Sequence, residues 1–567
     1  MAKSLSRQFR WRFVATLLLA SLASCRASVV ETPAIRTTAA TEQVSPGLEP
    51  PAPPPPHPSN LFFDNGLIPE IRIELKKSQE TKLREDLRRY VKCTVVETLP
   101  NPDAPDSPTE STYTEVAIKV KGAAGSSREL DDKPAFTLNM NKHVKEQTFH
   151  GMDKLHLNNS VQDESYLCEW ICADIARDAK VPATRVSHAR VWLNGRDLGL
   201  YVLKEGFDTP FLTRHFDDAT GNLYDGGFLQ DVDVDLEKDS GKGPDDHNDL
   251  HTLKAACEEP DAALRWPAIE KNLDVDAFLS FMAFELMTCH WDGYTPNKNN
   301  YRIYFDSKDG RARFLPHGMD QMFQDPGFPI LEFPPTIVSS AVMHNPEWRK
   351  RYKARIVELL PLFEAKRLLE RLDTVIARLR PIVNSLGDDF ANAHADRVRE
   401  LKERITAREP TLRELLENGD PMPIEFDESN QVEIADWYGA QETGDTLLEE
   451  VDPETDRRYS IQVGESNDCV ASWRRRVLLA QGRYRIEARL KTEGVEPRTD
   501  DQGTGAGVRI SGGRRDNKII GNSDWQTVSY DFEVTDVVRD VELVAELRAT
   551  KGRMWLKPTA RLVRIAP

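Results

Sequence analysis

Apolar positions recur along this chain with three different rhythms. From about residue 59 to 345, strand-like alternation and helix-like spacing take turns. Ile71-Arg72-Ile73-Glu74-Leu75 and the stretch from Val116 to Val120 place every second side chain on one face, which predicts half-buried strands. Between them, residues 99–110 are rich in Pro, Asp and Ser and predict a loop. Leu167, Ile171 and Ile175 share one face of a helix predicted over 165–178. Val191-Trp192-Leu193, the turn Asn194-Gly195, and Leu200 to Leu203 predict a hairpin. Residues 346–421 are helical in pattern, with Leu368, Leu372, Val375, Ile376 and Leu379, then Val398, Leu401 and Ile405, and Pro381 is expected to interrupt them. From 422 to 567 alternation dominates, as in Tyr484 to Leu490 and Val528 to Val534, with Gly-rich turns at 503–507 and 512–513. The expected fold class is α+β: a mixed body, a helical segment, and an all-β, jelly-roll-like sandwich.

The longest apolar run, Phe13 to Ala23, follows Lys3, Arg7, Arg10 and Arg12. It is too short to span a bilayer and has the flank of a signal peptide. It ends in Leu22-Ala23-Ser24-Cys25, similar to the bacterial lipobox, in which Cys25 is lipidated; an ordinary secretory signal with a coincidental Cys is the alternative. Residues 26–58 contain Pro33, Pro46, Pro50, Pro51, Pro53 to Pro56 and Pro58, and predict an extended tether. The expectation is an exported protein, lipid-anchored to a bacterial membrane at its periplasmic face or at the cell surface.

Charge narrows the functional classes. There are 75 Lys and Arg against 92 Asp and Glu, a net of −17; the chain beyond residue 58 holds 69 against 89, or −20. A nucleic-acid binder with a broad basic surface is excluded. With 29% charged residues and a mean hydropathy of −0.53, so is a polytopic membrane protein. Cysteines 93, 168, 172, 257, 289 and 469 form no CxxC pair and no metal spacing, and read as small buried hydrophobes. Asp231-x-Asp233-x-Asp235 fails the calcium-loop pattern, with Leu236 where Gly is required, and reads as a solvated acidic insertion. His156, His290 and His317 are scattered in sequence, and none is assigned a metal.

The chemistry concentrates near residue 290. Phe278, Leu279, Met282, Ala283 and Leu286 predict a helix ending at about Cys289. A polar loop, His290 to Asn300, follows; then a hairpin, Tyr301 to Asp306 and Arg311 to Leu315, delivers Pro316-His317-Gly318-Met319-Asp320. Helix, Asp loop with Asn downstream, hairpin and second Asp is the order of parts in a phosphoryl-transfer site, where one Asp orients a hydroxyl while an Asn and the second Asp hold Mg²⁺. An isolated Asp-x4-Asn is more often an ordinary turn. Upstream, Lys121-Gly122-Ala123-Ala124-Gly125-Ser126-Ser127 follows a strand, where small residues let backbone amides approach phosphate. Lys133 opens the next strand and Glu169 lies on the next helix, placed for a kinase-type Lys–Glu pair; solvated surface charge is the alternative for both.

Taken together, these parts resemble the CotH kinase family, atypical kinases named after spore coat protein H. The resemblance runs through Lys119-Val120-Lys121-Gly122, Lys133-Pro134-Ala135-Phe136, Leu155-His156-Leu157-Asn158-Asn159, Ser165 to Glu169, Gly199 to Glu205, Gly221 to Tyr224, Trp291-Asp292, Asn300-Tyr301 and Met319-Asp320, over about 59–330. It implies a kinase-like domain over 59–345 that uses ATP with Mg²⁺ or Mn²⁺ to phosphorylate Ser or Thr of extracytoplasmic proteins. It implies Asp292 as the catalytic Asp, Asp320 as the metal-binding Asp, and Asn300 as the amide of the catalytic segment. Asn297, five residues after Asp292, is kept beside Asn300 because it has the spacing of an ordinary kinase loop. Lys133, Glu169, Lys121, Ser126 and Ser127 are the expected nucleotide-binding set. His317-Gly318 departs from the family's Trp-Asp, and Cys168 from its Arg before the helix Glu.

The sandwich is similar to carbohydrate-binding modules, and Trp437, Trp525 or Trp555 could stack on sugar rings, although a core position is the commoner fate of a Trp. The alternative to an active kinase is a non-catalytic adhesion or scaffold protein whose sandwich binds glycan or protein.

Overall fold

The computed structural model describes residues 57–565, apart from 102–103, 105, 123–124, 452–457 and 499–502. Cys25, the signal segment and the tether up to residue 56 therefore lie outside the described residues.

Seven strands close into a barrel: β1 (Glu70–Glu74), β2 (Val91–Leu99), β3 (Thr109–Lys121), β4 (Ala135–Asn139), β5 (Lys154–Asn158), β6 (Val186–Leu193) and β7 (Arg196–Glu205). Their order is β1-β2-β3-β4-β5-β7-β6, closed by parallel β1–β6 pairing. Alternation fills the interior with Ile118, Val120, Phe136, Leu138, Leu155, Leu157 and Leu203. The β6–β7 turn is made by Asn194 and Gly195, both at positive φ (48° and 81°), the conformation that favours Asn-Gly in a two-residue hairpin. Asn194 also accepts a hydrogen bond from the Leu75 amide at 2.7 Å, pinning the turn to the end of β1.

A helical body packs against the barrel around a second core, running from Tyr166 to Leu412. It includes the helices Cys168–Asp178 and Val275–Met287 and a four-stranded sheet containing Tyr301–Phe305 and Ala312–Pro316. The helices Pro346–Leu359, Ala365–Ser385 and Asp388–Asn418 share this core, so 346–418 is packed into the body. Buried Arg408 shows how tightly. It donates to the carbonyls of Leu286 (2.7 Å) and Met287 (3.1 Å), capping the helix that leads into the Asp292 loop. Pro381 does not interrupt its helix, which runs through to Ser385: buried Leu379 and Val383 hold both sides in place and offset the lost hydrogen bond.

The sandwich has its own core, built from Tyr459, Ile461, Tyr484, Ile486, Leu490, Val508, Leu547, Met554, Leu556 and neighbours. Two long strands, Cys469–Pro497 and Gly521–Leu556, pair along most of their length. The sandwich meets the body directly. Leu478 and Val538 pack on the body core, Arg265 pairs with Asp536 at 2.5 Å, and Arg476 donates to the Phe333 carbonyl at 3.1 Å.

Candidate active site

The Asp292 loop is set from beneath. Glu285, fully buried near the end of the Val275–Met287 helix, accepts the Tyr294 amide with one carboxylate oxygen (3.0 Å) and the Thr295 amide with the other (2.9 Å). Gly293 passes so close that a Cβ there would lie 2.5 Å from Glu285 Oε1. Tyr294 is also held from the side, its hydroxyl donating to Asp231 at 2.9 Å. Asp231, expected to be solvated, is buried and also accepts the Ile337 amide at 3.0 Å; only Asp233 and Asp235 face solvent.

Three amides grip the Asp292 carboxylate: Asn297 Nδ2 at 2.7 Å on Oδ1, and Asn299 (3.0 Å) and Asn300 (2.9 Å) on Oδ2. Each –NH₂ faces Asp292, so each amide oxygen points away from it, leaving hard oxygens available beside the carboxylate. Both Asn297 and Asn300 are therefore in the site. Asn299 was not anticipated; the Asn-Lys-Asn-Asn run was its only signal.

The hairpin brings in the second Asp. Tyr301 is paired with Pro316, and the His317 amide donates to the Asn300 carbonyl at 2.9 Å. Gly318 then turns at φ 57°, where a side chain would collide with Asn300 Oδ1. The small residue thus lets the Asn300 oxygen lie against the loop carrying Asp320. Asp320 sits in the Met319–Gln321 turn, its carboxyl pushed up to about 6 by burial and by nearby Glu169, with Lys204 pulling the other way. A carboxyl held this high beside another carboxylate is a place short of positive charge. Among the described residues no cluster of three His, Cys, Asp or Glu forms a metal cage. A single carboxylate with amide oxygens is nevertheless the donor set that suits Mg²⁺, which keeps waters and takes phosphate oxygens as ligands.

The Lys–Glu pair exists with a different lysine. Glu169 and Lys204, each 1% exposed, form an ion pair, and Asn158 donates to the other Glu169 oxygen at 2.7 Å. Burial favours the neutral Glu169, but Lys204 and Lys121 outweigh it and hold its carboxyl below the usual range. Lys133 does not reach Glu169. Its ammonium donates to the Tyr166 hydroxyl at 2.5 Å and lies over the Tyr166 and Tyr201 rings, where burial pulls its pKa down to about 8. The reason is register. Lys133 precedes β4, whereas Thr137, His156 and Lys204 form a cross-strand row on the outer face of β4, β5 and β7.

Other groups converge there. Burial and Lys204 pull Lys121 down to about 8, while Glu169 and Asp320 oppose them. Burial holds His156 and His317 well below the ordinary histidine range, with Lys121, Lys204 and Arg302 acting in the same direction. Histidines scattered in sequence are thus neighbours in the fold. Lys121, His156, His317 and Asp320 are all half-buried, so this cluster keeps access to solvent. Lys121, Lys204 and Arg302 gather beside the Glu169 and Asp320 carboxylates, Lys204 paired with Glu169 and Arg302 with Asp225 at 2.5 Å. The Ser126 carbonyl accepts from Asn159 at 3.2 Å, and Ser127 is exposed.

Comparison with known proteins bears on this cleft. A family model described as CotH kinase protein matches residues 118–412, just over half of the chain. This chain belongs to the CotH kinase family. The CotH match contains every cleft residue named above and reaches past Arg408 into the helical segment. Inner spore coat protein H of Bacillus subtilis (strain 168) is 24% identical over 274 residues, 42% of this chain and 70% of that protein. Invasin CotH7 of Rhizopus delemar is 27% identical over 175 residues, 29% of each chain, so this chain spans less than a third of that relative. Among solved structures, the Helicobacter pylori proinflammatory kinase CtkA aligns with 49% of this chain and 94% of its own at 13% identity and a TM-score of 0.25. TmCBM61 in complex with β-1,4-galactotriose aligns with 23% of this chain and 88% of its own, at 13% identity and a TM-score of 0.18.

Proposed function

We propose that this kinase-like protein transfers the γ-phosphoryl group of ATP to Ser or Thr hydroxyls of proteins outside the cytoplasm. The observation that carries the reading is a single hairpin that joins Asp292, through Asn300, to Asp320, opposite a buried Lys204–Glu169 pair. In this reading Lys204, oriented by Glu169, holds the α/β-phosphates, and Lys121 and Arg302 add charge along the chain of phosphates. Asp292, fixed by three amides, orients the acceptor hydroxyl and takes its proton. Asp320 and the amide oxygens of Asn300 and Asn297 are the groups to hold Mg²⁺ or Mn²⁺, which supplies neutralisation of phosphate charge when bound. Cys25 would be the lipid-bearing residue, anchoring the protein at the membrane surface, and the sandwich would bind glycan.

The test is transfer of labelled γ-phosphate by the purified full chain with Mg²⁺ or Mn²⁺, comparing wild type with Asp292→Asn and Asp320→Asn. Incorporation lost in both variants supports the reading; a wild type that neither binds ATP nor incorporates phosphate overturns it. The second reading, a non-catalytic adhesion protein, draws on the name of the Rhizopus delemar invasins, and that second outcome would favour it.

A further inference from the structure

Two tryptophans of the sandwich lie outside its central cluster: Trp525, which is half-exposed, and Trp555, which is buried at 9% exposure. Trp437 and Trp473 are inside it, with Met554 and Leu556. Because Met554 and Leu556 both point inward and are fully buried, alternation turns Trp555 to the opposite face of the sheet. Lys491 is paired with Trp555 and follows inward-facing Leu490, so it shares that outer face. Leu490 is also paired on its other flank with Gln526, which brings Trp525 alongside Lys491. Trp555, Lys491 and Trp525 therefore form a row across three neighbouring strand segments. The outer two are separated by two strand spacings, about 9.5 Å.

The ring faces in this row are overlaid by cations. Lys491 Nζ lies 5.9 Å and the Arg553 guanidinium 5.0 Å from the Trp555 ring centroid. Lys557 Nζ lies 4.7 Å from that of Trp525, which is half-exposed. Arg489 is exposed on the same face. The carboxylates at the margin are Glu449, which engages Arg553 at 2.7 Å, exposed Glu493, and Asp524, which accepts the Trp525 amide at 2.8 Å. On a chain with a net charge of −17, this is a local gathering of cations around two indoles. Long side chains lie over the rings, and such a cover can swing aside for a ligand with matching chemistry.

We propose that this outer face binds an acidic polysaccharide, with half-exposed Trp525 stacking on a pyranose ring, buried Trp555 backing the cations that lie over it, and Lys491 and Lys557 meeting the carboxylates. The inference rests on the glycan-binding reading of the sandwich and adds to it the location and the charge of the ligand.

The test is binding of the full chain to polygalacturonate and to the same polymer with its carboxylates methyl-esterified, followed by affinity electrophoresis. The expected result is retardation by the acid alone, weakened by salt, with apparent affinity lower by about tenfold or more in Trp525→Ala and in Lys491→Glu/Lys557→Glu. These three residues lie outside the core, so an unchanged thermal midpoint verifies folding. Equal retardation by the ester, or wild-type behaviour of both variants, overturns the proposal while leaving glycan binding intact. No retardation by either polymer also overturns it, and a glycan array with the same protein then shows whether any sugar is bound at all. Phosphate incorporation is read separately in every case.

Discussion

Two carboxyls, one in each half of the molecule, meet the same penalty and resolve it differently. Glu546, in the sandwich, is 2% exposed and accepts Arg509 Nη2 at 2.8 Å and Arg515 Nε at 2.7 Å. Arg515 in turn donates to the Gly505 carbonyl at 2.9 Å. Burial would push Glu546 up, yet the two guanidinium groups win and hold it below the usual carboxylate range. Asp320, in the cleft, is pushed up to about 6, with Glu169 adding to the burial that raises it. His317 Nδ1, three residues before it, is buried without a hydrogen-bond partner. A saturated buried charge is architecture, whereas an under-compensated one beside open solvent is a site awaiting a ligand.

The widest separation of the two behaviours is expected from Asp292→Asn. Phosphate incorporation should fall by about 10²–10⁴-fold, with the circular-dichroism melt lowered only slightly: the side-chain shape is kept, although one oxygen that accepts from an Asn amide becomes a donor. A large drop in melting temperature would place Asp292 with Glu546 as architecture. Glu546→Ala should do the reverse, lowering unfolding free energy by about 3–5 kcal/mol in a urea titration because two buried guanidiniums lose their partner. Its phosphate incorporation per folded molecule should stay at the wild-type level.

Next in size is the contrast between two lysines. Lys204→Met should weaken ATP binding by about tenfold or more and Lys133→Met by less than about threefold, measured by calorimetry. Equal losses would return Lys133 to the nucleotide site. The smallest effect concerns pH. Between the unfolded carboxyl value near 3.8 and about 6, folded Asp320 binds more protons than unfolded, so its contribution to stability falls as pH rises through that window. Mg²⁺ should offset this loss, raising the thermal midpoint more at about pH 7.5 than at about pH 5. Asp320→Asn should abolish that difference.

What could be read from the sequence was local. The Asn194-Gly195 hairpin, the helix before Cys289 and the Asp292–Asn300–Asp320 order are short-range signals, and hairpin geometry carries them into space unaided. The Lys204–Glu169 pair was missed because its partners are 35 residues apart, and their meeting depends on β7 lying beside β5. Lys133 stood where a linear kinase pattern would place the lysine, but it falls just before its strand begins. Arg408 gave no signal: a charge on an amphipathic helix looks solvated until its four carbonyl partners are known. Trp555 is turned to the outer face by its neighbours' alternation and is nevertheless buried there at 9% exposure under long side chains, a combination composition does not show.

The direct seating of the sandwich on the body, through Arg265–Asp536, Arg476 and the packed Leu478 and Val538, has a geometric consequence. Were the sandwich to hold a ligand and the Asp292 site to phosphorylate, as proposed above, the place where a hydroxyl received phosphate would lie at a constant offset from the point of attachment. Such a molecule would work as a gauge. It would choose among acceptor residues by how far they stand from the bound chain, and lengthening or loosening that seam would blur the pattern of modified positions without touching either site.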